Sequence, residues 1–246
     1  MVKKAKKYLY STFKRSLFQL GISKSYNPPL GQVSFGDLAR LTPLCKNFGF
    51  DRGGAIDRYY IENFLKRKAD VIKGIVLEIG DNYYTMLYGG DNVTKSDILH
   101  VDDKNEAATI IGDISNAPQI SDNTFDCIIL TQTLHLIYDF KEALKTCHRI
   151  LKPGGSLLLT VPGITPIDHG EWNSTWYWSF TDMAMQRLSE ETFPNSKPEV
   201  EYFGNVLVAS SFLYGIGLPE MKKEQLDYKD PFYQVIITVH ARKKAE

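Results

Sequence analysis

Glu78, Gly80 and Asp81 close the apolar run that begins at Val76, which puts two acids and a glycine at the end of what reads as a buried strand. A carboxylate in that place accepts hydrogen bonds from amines or hydroxyls, and a glycine lets a ligand approach the backbone closely. The same residues also suit a plain turn that needs glycine. Two further acidic sets end apolar runs: Asp102 and Asp103 after Ile98-Leu99-His100-Val101, and Asp113 after Ile110-Ile111-Gly112. Period-two spacing puts His100 and Asp102 on one face of a strand. His100, Asp102 and Asp103 could then hold a divalent metal, Mg or Mn, with a nucleotide diphosphate supplying two more oxygens. A solvated acidic strand end is the competing reading.

All three tryptophans fall between Glu171 and Trp178. Trp172, Trp176, Tyr177 and Trp178 offer aromatic faces that stack on sugars or bases; alternatively they form a plug that packs the last helix onto the sheet. Asp57 and Arg58 either reach toward the same crevice or form surface pairs.

These groups need a frame, and the sequence supplies one. Val76–Asp81, Asp97–Asp103, Ala108–Asp113, Phe125–Leu130 and Ser156–Val161 read as five strands, with a last strand over Val235–Ala241. Helical spacing runs from Ala55 to about Ile72 and again from Phe140, Ala143 and Leu144 to Ile150 and Leu151. Asp139 and Glu142 form a candidate capping box for the second of these. Tyr83–Tyr88 leaves room for little more than one helical turn. Thr181–Phe193 reads as a helix, whereas Val206–Tyr214 is an apolar stretch without a clear period. Strands alternating with helices imply a parallel sheet with right-handed crossovers, and ligands bind beyond the carboxyl ends of such strands.

The 246 residues carry 29 basic and 29 acidic side chains, yet no acid precedes Asp37. Lys3, Lys4, Lys6, Lys7, Lys14, Arg15 and Lys24, with Leu9, Phe13, Leu17 and Leu20 between them, form either an amphipathic helix for an anionic membrane surface or partner, or a solvated terminus. The expected organisation is a basic arm over 1–24, a helical cap over 25–73 and an α/β domain over 74–246. Cys45, Cys127 and Cys147 are too scattered for a zinc set and read as core thiols of a reducing compartment. No run approaches a membrane span and no cleavable leader is legible, which points to the cytoplasm, with possible peripheral contact at the inner face of a membrane. Outside the arm the chain is net acidic, which speaks against a nucleic-acid target.

The order Phe125-Asp126-Cys127-Ile128-Ile129, helix, Leu151-Lys152-Pro153-Gly154-Gly155, strand resembles the class I S-adenosylmethionine-dependent methyltransferases. With Asp51-Arg52-Gly53, Ile56-Asp57-Arg58-Tyr59-Tyr60 and Tyr177-Trp178, the chain looks similar to a bacterial subgroup associated with surface-glycan synthesis. The resemblance implies a Rossmann-like, doubly wound, mostly parallel sheet with shortened first crossovers and an antiparallel last strand. It implies that Glu78, Gly80 and Asp81 lie under S-adenosylmethionine, that Asp102 holds its ribose, that Asp113 and Ile114 flank adenine, and that Thr131 and Gln132 stand where donor and acceptor meet. His135, or His169 beside Asp168, would be the base for a sugar or nucleotide-sugar hydroxyl, with Trp172, Trp176, Tyr177, Trp178 and Arg58 on the substrate. Where the family has further glycines this chain has Asn82 and Tyr84, whose side chains are expected to crowd the cofactor. Two alternatives follow from that departure: an enzyme on the same fold that does not use S-adenosylmethionine, such as a metal-dependent nucleotide-sugar isomerase or mutase, and a non-catalytic partner of a glycosyltransferase.

Overall fold

The computed structural model describes residues 2–23 and 25–245, with side chains described from Tyr10 onward; the side chains of Lys3, Lys4, Lys6, Lys7 and Leu9, and all of Lys24, lie outside the described residues. The chain divides into two compact units, Met1–Thr42 and Pro43–Glu246. The smaller carries helix α1 (Val2–Gln19), which leaves the side chains of Tyr10, Phe13 and Phe18 exposed.

The larger unit is built on a seven-stranded sheet in the order β3-β2-β1-β4-β5-β7-β6. Its strands are β1 (Gly74–Ile79), β2 (Val93–His100), β3 (Ile110–Ile111), β4 (Phe125–Thr131), β5 (Leu151–Pro162), β6 (Glu199–Phe203) and β7 (Ile236–Arg242). β1 to β5 pair parallel, and β7 runs antiparallel to both β5 and β6. This is the doubly wound, Rossmann-like architecture expected from the alternation of strands and helices.

Both faces of the sheet are covered, which explains why its central strands are apolar at nearly every position. On one face Val76, Ile129 and Leu158 pack against Ile56, Ile61, Phe64 and Leu65 of α2 (Ile56–Arg67) and Val208 and Phe212 of α5 (Val206–Leu213). On the other, Leu77, Ile128 and Leu159 meet Ala143, Leu144, Cys147 and Ile150 of α3 (Phe140–Ile150) and Met185 of α4 (Asp182–Thr192). Residues 43–73 lie within the larger unit, where α2 supplies one of the layers that cover the sheet. The short α6 (Lys223–Asp227) adds Leu226 to the same face as α2. Cys45, Cys127 and Cys147 are buried and free. Among the described residues no helix is long and apolar enough to cross a membrane.

Three local expectations change. β2 ends at His100, so Asp102 lies in the turn beyond it and shares no strand face with His100; the Lys104 amide donates to Asp102 Oδ1 at 3.1 Å and bends the chain there. The capping box at α3 is not formed: Asp139 makes no side-chain cap, and Glu142 pairs with Lys145 at 2.7 Å. The unassigned stretch is helix α5, capped by Asn205, whose Oδ1 accepts from the amides of Leu207 and Val208. The connection after β1 is as short as expected, a single wide turn over Thr85–Gly89.

Candidate functional site

A cavity of about 900 Å³ opens at the carboxyl ends of β1, β2 and β4. Glu78, Gly80 and Asp81 form its floor. Glu78 is almost fully buried, and its two oxygens accept from the amides of Tyr84 (3.2 Å) and Thr85 (2.7 Å) and from the Thr85 hydroxyl (2.7 Å). Burial pushes its pKa up to about 7 against the pull of those donors. Glu78 thus shapes the turn that follows β1. Asp81 Oδ1 accepts from the Tyr83 amide at 2.9 Å. Gly80 has φ +92° and a β-carbon there would meet nothing within 4 Å, so its backbone faces open space. Asn82 turns away, donating to Ser96 on β2 at 3.2 Å, so it does not crowd the cavity as expected. Tyr84 does line it, buried against Tyr88.

The remaining acids are placed unevenly. Asp113 and Ile114 line the cavity, with Asp113 Oδ1 accepting from the Ser115 amide at 2.8 Å. His100 lines it, but Asp102 sits on the neighbouring turn outside the lining. Its carboxylate takes the Lys104 amide, with Lys104 Nζ at 3.2 Å and His100 Nδ1 at 3.2 Å, and these hold its pKa below the usual range, the amide most. Asp103 is exposed. Among the described residues no group of three His, Cys, Asp or Glu side chains converges to hold a metal ion, so His100, Asp102 and Asp103 do not form the metal set considered from sequence. The early end of β2 is the reason.

Beyond β4, Thr131, Gln132 and His135 line the opposite wall. Gln132 is held at φ +47°, uncommon for a residue with a side chain, by its amide on the Thr160 carbonyl (3.0 Å) and its Nε2 on the Thr160 hydroxyl (3.2 Å). His135 is 2% exposed, and neither ring nitrogen has a hydrogen-bond partner. Its ring meets Trp176 edge-on with centroids 4.4 Å apart; Trp176 in turn stacks on Phe48 at 5.9 Å, and its Nε1 is also unpartnered. Trp172 and Tyr177 line the cavity too. Trp178 does not: its Nε1 donates to the Ile137 carbonyl at 3.1 Å and its ring packs on Phe140, so this one tryptophan is the plug. Asp168 lines the cavity, but its carboxylate accepts from the amides of Trp172 (2.8 Å) and Gly170 (3.0 Å), while His169 is exposed and outside the lining. The Trp172 amide chiefly holds Asp168 below its usual pKa.

Burial pushes the His135 pKa down to about 3, so the ring is neutral at pH 7 and a weak proton acceptor. A histidine whose folded pKa lies below its unfolded value withdraws stability as pH falls below about 6.5. Glu78, with its raised pKa, acts in the opposite direction between about 4.5 and 7, and the two partly cancel in the wild type. The difference between wild type and His135→Phe isolates the histidine. From pH 7 to pH 5 the wild type should lose about 2 kcal/mol relative to the variant, read from urea unfolding at both pH values. A difference that does not move with pH would contradict the placement of this ring.

The third wall was legible only in part, through Asp57 and Arg58. Phe48 and Phe50, from the loop before α2, and Asp57 and Arg58, from its first turn, all line the cavity. Asp57 is 8% exposed and its Oδ1 has no partner; burial raises its pKa against the attraction of Arg58. Surface pairing, one of the two readings from sequence, is therefore excluded for Asp57. The loop is fastened from behind: Arg52 binds Glu220 through two hydrogen bonds of 2.8 and 2.5 Å, Leu44 N donates to Tyr214 O at 2.8 Å, and Leu218 N to Gly54 O at 2.8 Å.

Residues 75–159 match the family described as Methyltransferase domain. Over 63 residues the chain is 40% identical to the ubiquinone/menaquinone biosynthesis C-methyltransferase UbiE of Haemophilus ducreyi, covering 23% of this chain and 24% of that protein. A 45-residue stretch is 44% identical to UbiE of Klebsiella pneumoniae, 18% of each chain. The chain thus spans a quarter or less of the curated relatives it matches. Its fold is similar to that of a SAM-dependent methyltransferase from Archaeoglobus fulgidus (TM-score 0.50, 12% identity, 76% of this chain and 94% of that one). It is also similar to an S-adenosylmethionine-dependent methyltransferase from Mesorhizobium loti (TM-score 0.50, 14% identity, 77% and 98%). These likenesses establish the class I methyltransferase fold. The cavity has room for that cofactor: the open edge at Gly80 admits a ligand against the backbone, and Asp113 and Ile114 line the same cavity.

Proposed function

We propose that the chain is an S-adenosylmethionine-dependent methyltransferase acting on a hydroxyl or carboxyl of a sugar, nucleotide sugar or glycan precursor in bacterial polysaccharide biosynthesis. The observation that carries this reading is one cavity with two unlike regions. One is the open backbone at Gly80; the other joins Trp176 and His135, whose nitrogens have no partner in the protein. Buried donors and acceptors without partners are costly, and they persist where a ligand satisfies them. Sugar hydroxyls both donate and accept, and a sugar ring stacks on an indole face. Bound at Gly80, the cofactor supplies a sulfonium methyl group. Trp176 and His135 then orient the acceptor, and the aromatic wall of Phe48, Trp176 and Phe212 excludes water from the reacting centre. A neutral His135 accepts a hydrogen bond from the acceptor hydroxyl and so aims its oxygen.

Incubation with S-adenosylmethionine and a panel of nucleotide sugars, followed by mass spectrometry, tests the reading. A methylated sugar formed together with S-adenosylhomocysteine supports it. Methylation confined to carbon would move the reading toward the C-methyltransferase relatives and overturn the sugar acceptor.

We further propose that residues 1–24 are a cationic arm that brings the enzyme to an anionic membrane surface on the cytoplasmic side, or to a glycosyltransferase partner there. The absence of acids before Asp37 and the exposed Tyr10, Phe13 and Phe18 of α1 support this. Deletion of residues 1–24 should leave the melting temperature nearly unchanged and weaken sedimentation with phosphatidylglycerol vesicles in a salt-dependent way. A large fall in melting temperature would contradict the proposal.

A further inference from the structure

We infer that Asp57 and Arg58, on the first turn of α2, clamp the zwitterionic α-amino acid end of the methyl donor. The inference rests on the cavity being the S-adenosylmethionine site, and it adds how that site holds the cofactor without a glycine-rich loop.

In such a loop, free backbone amides and close backbone approach hold a ligand. Here four of the amides at and after the end of β1 are engaged internally. Tyr83 N donates to Asp81 Oδ1 at 2.9 Å, Tyr84 N to Glu78 Oε1 at 3.2 Å, and Thr85 N to Glu78 Oε2 at 2.7 Å. Gly80 N donates to the Leu99 carbonyl at 3.0 Å. The floor of the cavity is open at Gly80, yet these four amides are already bound. A carboxylate arriving there is better met by a charged donor.

α2 supplies one. Arg58 lines the cavity beside Glu78, Gly80 and Tyr84, and its guanidinium interacts electrostatically with the Tyr84 side chain and lies 5.9 Å from the Phe50 ring centroid. Those contacts hold a planar, forked donor against the turn that follows β1, in the geometry that suits a carboxylate. Asp57 completes the pair. It is 8% exposed and lines the same cavity, and although Arg58 attracts it, its Oδ1 is without a hydrogen-bond partner. A buried carboxylate with an empty oxygen calls for a cationic donor.

An amine alone would meet Arg58 as a like charge. A carboxylate alone would meet Asp57 the same way. An α-amino acid carries one group of each sign two bonds apart, and it satisfies both residues with no change in net charge. The methionine end of the cofactor is such a group.

Calorimetric titration of the full chain with S-adenosylhomocysteine and with methylthioadenosine tests this, because the second ligand keeps the nucleoside and the sulfur but lacks the amino acid. The wild type should prefer S-adenosylhomocysteine by about 30-fold or more. Asp57→Asn and Arg58→Gln should each weaken S-adenosylhomocysteine by about tenfold or more and leave methylthioadenosine within about twofold, so the preference collapses. Arg58→Lys, which keeps the charge but loses the fork, should fall between. Methylthioadenosine binding by the variants also reports that they are folded. Equal weakening of both ligands, or an unchanged preference, would overturn the clamp while leaving the cofactor site in place. A wild type that binds neither ligand would overturn the cofactor site itself, and the clamp with it.

Discussion

Gly80→Leu is expected to lower affinity for S-adenosylhomocysteine by about 100-fold or more while the chain stays folded. A β-carbon at Gly80 meets no protein atom within 4 Å, so the side chain does not collide with the fold but projects into the open cavity. The backbone at φ +92° strains any side chain, at about 1–2 kcal/mol. That loss is small against the stability of a domain of this size. Binding has no such margin, because the leucine occupies the path along which the cofactor passes the end of β1. Calorimetry and urea unfolding on the same preparation separate the two effects. Unchanged affinity would mean that the ligand does not run past Gly80.

The second large effect is on folding. Gly215 has φ +66°, and a β-carbon there would stand 2.0 Å from the Cys45 carbonyl oxygen; at Gly217 it would stand 2.0 Å from the Arg52 carbonyl oxygen. Both contacts are with backbone, so no side chain can rotate aside, and the loop over residues 43–54 must move. That loop carries Phe48 and Phe50 into the cavity and leads into Asp57 and Arg58. Gly215→Ala should therefore cost about 3 kcal/mol or more and also weaken cofactor binding. Gly154→Ala is the control. Gly154 has φ +80° but nothing within 4 Å of a built β-carbon, so only backbone strain, about 1–2 kcal/mol, is expected. If both variants unfold at the same urea concentration, the loop is not held by this close approach.

Much of the frame is legible in the sequence because burial on both faces of a parallel sheet leaves an unmistakable pattern. Val76–Ile79, Phe125–Leu130 and Leu157–Val161 are apolar runs, and the stripe of α3 repeats at helical spacing. The short turn after β1 was visible as a lack of residues. The end of β2 was not, because Val101-Asp102-Asp103 continues an alternating pattern that the chain abandons when Asp102 accepts the Lys104 amide. α5 was missed because Val206–Leu213 is apolar on nearly every side, which erases its period.

The candidate site divides in the same way. Glu78, Gly80, Asp113, Thr131 and Gln132 sit at strand ends, where local pattern locates them. Asp57 and Arg58 were visible as charges at a helix start, but the cavity they face is completed by Phe48 and Phe50 of the preceding loop and by Phe212 from a distant part of the chain. Among four aromatic residues in one segment, only the fold separates Trp178, packed on Phe140, from Trp172, Trp176 and Tyr177 in the cavity. Asp168 and His169 are adjacent in sequence, yet only Asp168 lines the cavity, and its carboxylate is tied to the Gly170 and Trp172 amides.

A crystal structure of the chain soaked with S-adenosylhomocysteine tests the central claim most directly. The account predicts density for the ligand across the carboxyl ends of β1 and β4, with the adenine beside Asp113 and Ile114, the chain passing Gly80, and the amino acid between Asp57 and Arg58. A crystal in which this cavity stays empty at saturating ligand, or in which the ligand lies elsewhere, would contradict it.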